Sequence, residues 1–165
     1  MIATAVQFYD VVIWLHISAV VVGFGPTFAY GVFSMVAAGD GLRASLGVAR
    51  GIVRWNQTGL TLGMVIVLIT GIYLAGDGPW DFSDFFVSWG FVAIIALFGL
   101  AHGYFMPRER QVVEMLERES DAAGDRSTEP SQSLTALEGQ IAKVGGLAGL
   151  LVILTIYVMT AKPFL

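Results

Sequence analysis

The chain has 165 residues, of which 56% are hydrophobic and 13% are charged, and its mean hydropathy is +0.73. Charged side chains make up roughly a quarter of a typical soluble domain, so this composition indicates a protein that lies in a lipid bilayer. The absence of cysteine excludes disulfides, thiolate metal sites and thiol nucleophiles. A net charge of −4 without a block of basic residues argues against binding to nucleic acid.

Four apolar segments are long enough to cross a bilayer. A helix needs about 20 apolar residues to span the hydrocarbon, and residues 11–33, 58–76, 85–105 and 144–161 meet this condition. The first basic residue is Arg43, so the N-terminus lacks the charged region of a cleavable signal peptide, and we expect the first segment to remain as a membrane helix. The sequence therefore predicts a single all-α domain, an integral membrane four-helix bundle.

The positively charged residues are distributed unevenly between the two sides of this bundle. Of the nine Lys and Arg, eight lie in or beside the connections 38–57 and 107–140, and only Lys162 falls on the other side. Connections rich in Lys and Arg stay in the cytoplasm. We therefore predict a plasma-membrane (inner-membrane) protein, N-out/C-out, with both termini outside and with both basic connections in the cytoplasm.

The connection 107–140 is the longest segment outside the predicted spans. Residues 108–119 are rich in helix formers, which indicates a cytoplasmic continuation of the third helix. Residues 121–133 have the polar, proline-containing composition of a flexible linker. We interpret the acids and bases of the whole connection as a solvated surface.

Three pairs of glycines at a spacing of four residues lie within the predicted spans. Such pairs let the backbones of neighbouring helices approach closely, so each pair predicts a tight contact. Pro26 removes a backbone hydrogen bond and predicts a kink in the first helix. The pairs are Gly59/Gly63, Gly99/Gly103 and Gly145/Gly149.

His16 is one of two histidines within the spans. On a helical projection it shares one side of the first helix with Gly23, Thr27, Tyr30 and Ser34, which together form a small and polar stripe. Lipid offers such a stripe no hydrogen bonds, so we expect it to face the interior of the bundle. A neutral imidazole there suits haem iron, copper or a proton relay. The alternative is a histidine satisfied by a carbonyl or hydroxyl group of a neighbouring helix.

The second histidine, His102, lies near the opposite end of the bundle, where water and lipid headgroups can satisfy it. At 1.5 Å per residue, the two histidines differ in depth by roughly 17 Å, which is too much for the axial ligands of one haem. A ligand paired with His16 is therefore expected from the outer half of the bundle. The residues that could provide it are Tyr73, Tyr157, Met159 and Lys162.

Several short motifs resemble the CopD-like superfamily of four-helix membrane proteins. That group includes the copper-resistance protein CopD, the HemJ-type protoporphyrinogen oxidases and uncharacterised integral-membrane families, and the resemblance is closest to the last of these. It implies that His16 is a candidate ligand of haem b and that Lys162 is a functional lysine. The motifs are Leu15-His16-Ile17, Ala101-His102-Gly103-Tyr104-Phe105 and Met159-Thr160-Ala161-Lys162-Pro163-Phe164.

The chain differs from the HemJ-type enzymes at two places. Their third helix carries a Trp-Leu-His-x-Lys-type stretch, where this chain reads Trp89-Gly90-Phe91-Val92-Ala93. Their Asn-Glu-x-Pro sequence before the last helix has no counterpart near residues 139–146. Both differences argue against porphyrinogen oxidation, and whether the chain is an enzyme stays open.

Three functions remain open on the sequence alone. The first is a small membrane protein that binds haem b for electron transfer or redox sensing, with His16 as the ligand and Lys162, Tyr157 and Met159 as weaker candidates at the same site. The second is a non-catalytic subunit or scaffold that assembles with another membrane protein or with copies of itself. The third is a copper or small-solute permease.

Overall fold

The computed structural model describes residues 7–123 and 129–163, and four long helices account for nearly all of them. Each helix contains a stretch that is long and apolar enough to cross a membrane. Within those described residues there is no β-strand. The predicted all-α membrane helical bundle is therefore confirmed. The helices are α1 (Phe8–Asp40), α2 (Leu42–Asp77), α3 (Phe85–Ala122) and α4 (Gln132–Ala161).

The helices alternate in direction, so one end of the bundle carries the starts of α1 and α3 and the ends of α2 and α4. We call this end the terminal end, because residues 7 and 163 lie there. The other end carries the arginine-rich parts of α2 and α3, and we call it the basic end. It includes Arg50, Arg54, Arg108 and Arg110.

The structure is helical through most of the two connections, and it confirms the predicted continuation of the third helix through residues 108–119. Within 38–57, all residues except Gly41 are helical, and the φ of 100° at Gly41 is one that other residues rarely adopt. Most of 107–140 is also helical, because α3 continues through it and α4 begins at Gln132. Within the predicted linker 121–133, residues 121–123, 132 and 133 are helical, and residues 124–128 lie outside the described residues.

A second apolar core at the basic end holds these helical extensions together. Leu42 of α2, Val112 and Leu116 of α3, and Leu134 of α4 are buried against one another. The acids and bases of the connection 107–140 were interpreted as a solvated surface because this connection is rich in charged residues. Its few apolar residues nevertheless share one face of each helix, which is sufficient for them to pack.

The main apolar core lies in the middle of the bundle and joins all four helices. Its buried residues include Phe24, Met64, Leu97 and Val152, one from each helix. Inside a membrane such a core is held by close packing rather than by the exclusion of water. It separates the terminal half of the bundle from the basic end.

The backbones of α1 and α2 approach each other most closely at Gly23 and Gly63. A Cβ atom on Gly63 would lie 2.9 Å from the Cα of Gly23, and one on Gly23 would lie 3.2 Å from the Cα of Gly63. The predicted tight contact is therefore present at Gly63. A Cβ on Gly99, Gly103 or Gly145 would meet no atom within 4 Å, so these glycines do not pack helices together within the described chain.

Three helices depart from α geometry on the basic side of the main core. In α1 the segment Gly25–Ala29 is a 3-10 helix, at the place where Pro26 predicted an irregularity. In α2 and α3 the segments Asn56–Leu60 and Leu100–Phe105 are π-helical. Short π-helical insertions inside α-helices are frequent at functional sites, and polar side chains lie on both sides of the core.

Candidate functional site

A cavity of about 500 Å³ lies in the terminal half of the bundle, with the main core as its floor. All four helices contribute to its walls, which are mostly apolar. Small-molecule sites have volumes of roughly 300–1,000 Å³ and a few polar groups in apolar walls, and this cavity has both properties. The polar residues that line it are Tyr9, His16, Trp80, Thr155, Thr160 and Lys162.

His16 is held in the cavity wall by Thr70 of α2. Its Nδ1 lies 2.8 Å from the hydroxyl oxygen of Thr70, and that hydroxyl donates its only proton to the carbonyl of Ile66 at 2.6 Å. A backbone hydrogen bond also joins His16 to Val67. When the Thr70 hydroxyl donates to Ile66, its oxygen can accept from an Nδ1–H of His16, and in that tautomer Nε2 keeps the lone pair that a metal-binding imidazole requires.

Two glycines make room for the side chains of His16 and Met159. A Cβ on Gly71 would lie 3.5 Å from Cε1 of His16, and a Cβ on Gly90 would collide with the methyl group of Met159. At 1.5 Å per residue, Gly71 and Gly90 lie about 9 and about 8 Å from the terminal ends of their helices. The imidazole and the thioether both line the cavity, beside glycines in the terminal parts of α2 and α3.

Lys162 lies at the terminal end of the cavity. It follows the last turn of α4 with a φ of 43° and is the only non-glycine residue with a positive φ in the described part of the chain. This left-handed conformation costs roughly 1–2 kcal/mol for most residues. Its Nζ lies 3.7 Å from the ring centroid of Trp80 and 5.4 Å from that of Phe86. A cation held over two rings at the mouth of a cavity offers a counter-charge to an anionic group.

Three other residues that the sequence singled out lie away from the cavity. Tyr157 is 62% exposed on the surface of α4 and is not among the described residues that line the cavity. The hydroxyl of Tyr73 donates to a carboxylate oxygen of Asp77 at 2.7 Å. His102 is exposed and lies in the π-helical segment of α3, beyond the main core. The structure thus brings together His16, Met159 and Lys162.

The polar stripe of α1 faces α2, which agrees with the prediction that it points into the bundle. Three of its five residues contact α2 along the length of the helix, two through side-chain hydrogen bonds and one through the close backbone approach. The contacting pairs are His16–Thr70, Gly23–Gly63 and Tyr30–Asn56.

A family model matches residues 10–163, which is nearly the whole chain. The chain belongs to the DUF2269 family. Its members are described as predicted integral membrane proteins, which agrees with the four apolar helices and with the resemblance to an uncharacterised integral-membrane family. No curated protein and no solved structure matches the chain. In this DUF2269 protein the matched residues include His16, Met159 and Lys162, which line the cavity.

The DUF2269 chain has a second polar cluster, at the basic end, that the sequence analysis missed. The hydroxyl of Tyr30 donates to Oδ1 of Asn56 at 2.7 Å, and Nδ2 of Asn56 donates to both carboxyl oxygens of Glu109 at 2.8 and 2.9 Å. Glu109 is only 9% exposed, so it does not belong to the predicted solvated surface. Glu109 lies on the same helical face as Val112 and Leu116, and this spacing in the sequence could have indicated that its side chain is buried.

The buried Glu109 should make the stability of the DUF2269 bundle depend on pH. Burial raises the pKa of this carboxyl, which lies beyond the span that ends at residue 105, and the hydrogen bonds from Asn56 lower it by less. The folded chain therefore binds the proton more tightly than the unfolded chain. The contribution of Glu109 to the free energy of unfolding should be complete below the ordinary value of 4.5 and should be lost as the pH rises through the raised pKa.

Melting curves of Glu109→Gln test this expectation. The substitution keeps the shape and removes the charge, so the variant should lose this part of the pH dependence of the melting temperature in detergent. Glu117→Gln is the control, because it removes an exposed carboxylate that pairs with Arg50 at 2.8 Å, and it should keep the dependence. Identical slopes for the wild type and Glu109→Gln would show that Glu109 does not titrate as expected.

Proposed function

We propose that the chain binds haem b in the cavity of the terminal half, with His16 as a ligand of the iron. The observation that carries this proposal is the position of His16 in the wall of an apolar cavity, with its Nδ1 bonded to Thr70. A purely structural histidine would also bond to the hydroxyl of Thr70. It would not need to line a cavity of about 500 Å³.

The residues around the cavity fit haem b in three respects. The apolar walls suit the faces of a macrocycle. Met159 lines the same cavity as His16, and methionine with histidine is one of the axial ligand pairs of haem proteins. Lys162 at the mouth offers a positive charge to the carboxylates of the cofactor. Haem would supply one-electron chemistry, so we propose electron transfer or redox sensing in the membrane. Tyr157 has no place in this site.

A second candidate function is a non-catalytic subunit or scaffold. The observation that favours it is a set of three glycines at which an added Cβ would meet no atom within 4 Å, Gly99, Gly103 and Gly145. Small residues on a lipid-facing surface allow a further membrane helix to approach closely. This function predicts a protein that binds no haem and that copurifies with another membrane protein or with copies of itself.

Addition of haem to the detergent-solubilised protein tests the proposed function. A Soret band should grow until one equivalent has bound per chain, and the fluorescence of Trp80, which lines the cavity, should be quenched in parallel. Met159→Leu keeps most of the side-chain volume, so it should retain haem but alter the spectrum. A Soret signal that grows without saturation would indicate partition into the micelle and would contradict the proposal.

We also propose that the basic end faces the cytoplasm of a plasma-membrane protein, since Lys and Arg are concentrated there. The cysteine-free chain makes this simple to test. Ser83→Cys, in the connection between α2 and α3, should react with an impermeant thiol reagent added to intact cells. Gln132→Cys, at the start of α4, should react only after permeabilisation. The opposite pattern of labelling would reverse the orientation.

A further inference from the structure

At the basic end, α2 and α3 enclose an open groove of about 360 Å³. On each helix the lining residues recur at spacings of three and four, so they form one continuous face. The groove combines three arginines with two carboxylates, an amide and two valines. The lining residues are Arg50, Val53, Arg54 and Gln57 from α2, and Arg110, Val113, Glu114 and Glu117 from α3.

Two contacts across the groove define how its two faces are aligned. Nη2 of Arg50 lies 2.8 Å from a carboxylate oxygen of Glu117. Gln57, with its amide oriented to satisfy both groups, accepts hydrogen bonds from Nε and Nη2 of Arg110 at 3.3 and 3.0 Å. The helices are antiparallel, so the Arg50–Glu117 pair is far from the apolar spans and the Gln57–Arg110 pair is near them. Between them, the guanidinium of Arg54 has no hydrogen bond or ion pair within the described residues.

The part of the groove nearest to the bilayer lies at the level of the lipid headgroups. The headgroup layer adds about 5–8 Å to each side of the hydrocarbon. Counted along their own helices, Arg54 lies about 6 Å before the predicted span 58–76 and Arg110 about 8 Å after the span 85–105. Glu114 and Glu117 lie about 14 and about 18 Å after that span. Of the charged residues that line the groove, Arg54 and Arg110 are therefore the ones that lie within the headgroup layer.

We propose that this groove binds the phosphate of an anionic phospholipid through Arg54 and Arg110. Guanidinium groups bind phosphate oxygens through two parallel hydrogen bonds, and basic pockets between membrane helices are suited to such headgroups. Val53 and Val113 line the same groove and offer apolar contact to the glycerol and the first acyl carbons. An anionic lipid fits better than a zwitterionic one, because a choline cation would meet the same arginines.

The melting temperature of the purified chain in a non-ionic detergent is the readout. Phosphatidylglycerol should raise it in a saturable way, whereas phosphatidylcholine with the same acyl chains and inorganic phosphate should have little effect. Arg54→Gln and Arg110→Gln should each weaken the apparent affinity for phosphatidylglycerol about five- to tenfold. Both side chains are exposed, so these variants should remain folded without lipid.

Arg43→Gln is the matched control, because it removes the same charge from the start of α2, outside the groove. It should bind phosphatidylglycerol as the wild type does. An equal loss of affinity in Arg43→Gln would show a diffuse charge effect and would overturn the proposal. The proposal would also be overturned if inorganic phosphate acted as strongly as the lipid, or if phosphatidylglycerol had no effect at all.

Discussion

Replacement of His16 by alanine should abolish haem binding by the purified protein, because it removes the imidazole that lines the cavity. Thr70→Val should have a graded effect, since it keeps the shape of the side chain but removes the hydroxyl that bonds to Nδ1 at 2.8 Å. Loss of such a supporting hydrogen bond weakens metal affinity roughly 10- to 100-fold. Haem titrations followed at the Soret band measure both effects.

His102→Ala is the control for the loss of an imidazole. His102 is exposed beyond the main core, so its removal should leave both the Soret band and the haem affinity unchanged. Equal loss of haem in His16→Ala and His102→Ala would mean that the variants had lost the fold rather than a ligand. Full haem retention in His16→Ala would refute the assignment of His16 as the ligand.

Gly63→Ala should destabilise the bundle strongly. The new Cβ would lie 2.9 Å from the Cα of Gly23 and 3.2 Å from the carbonyl oxygen of Ala19, and backbone atoms cannot move away as a side chain can. Overpacking of this kind costs roughly 1–3 kcal/mol, and it would separate α1 from α2, which also disturbs the His16–Thr70 contact. A melting temperature lower by several degrees is expected, together with weaker haem binding.

Gly145→Ala is the matched control for the glycine substitution, because a Cβ at this position meets no atom within 4 Å. Its melting temperature should equal that of the wild type or exceed it slightly. The same variant bears on the scaffold function. If α4 packs against a further helix through Gly145, then Gly145→Ala should lower the apparent size of the purified particle while the chain itself remains folded.

The predicted spans and the polar stripe could be read from the sequence because a membrane helix must bury its polar side chains. The position of Tyr157 could not be read in this way. Counting residues along a helix gives the depth of each side chain in the membrane. On depth alone, Tyr157 is as good a candidate for the cavity as Met159. Two residues along a helix correspond to a rotation of roughly 200°, so only one of them can line the cavity. The structure selects Met159, whose methyl group lies beside Gly90.

The helical form of residues 38–57 and the burial of Glu109 could not be predicted from the sequence either, for a different reason. Residues such as Leu42 and Leu116 are scattered among charges, and each becomes buried only because α2, α3 and α4 extend together past the membrane. Glu109 bonds to Asn56, which in turn bonds to Tyr30, and both residues lie far from Glu109 in the sequence. Such burial depends on long-range packing, whereas the apolar spans are defined by local composition.

The visible absorption spectrum of the protein, purified from membranes of cells supplied with haem, tests the proposed function most directly. The wild type should show a Soret band that responds to reduction, with close to one haem per chain, and the band should be missing from His16→Ala purified in the same way. A wild-type protein that is folded and monodisperse but colourless, even after haem is added to the purified sample, would contradict haem binding in this cavity.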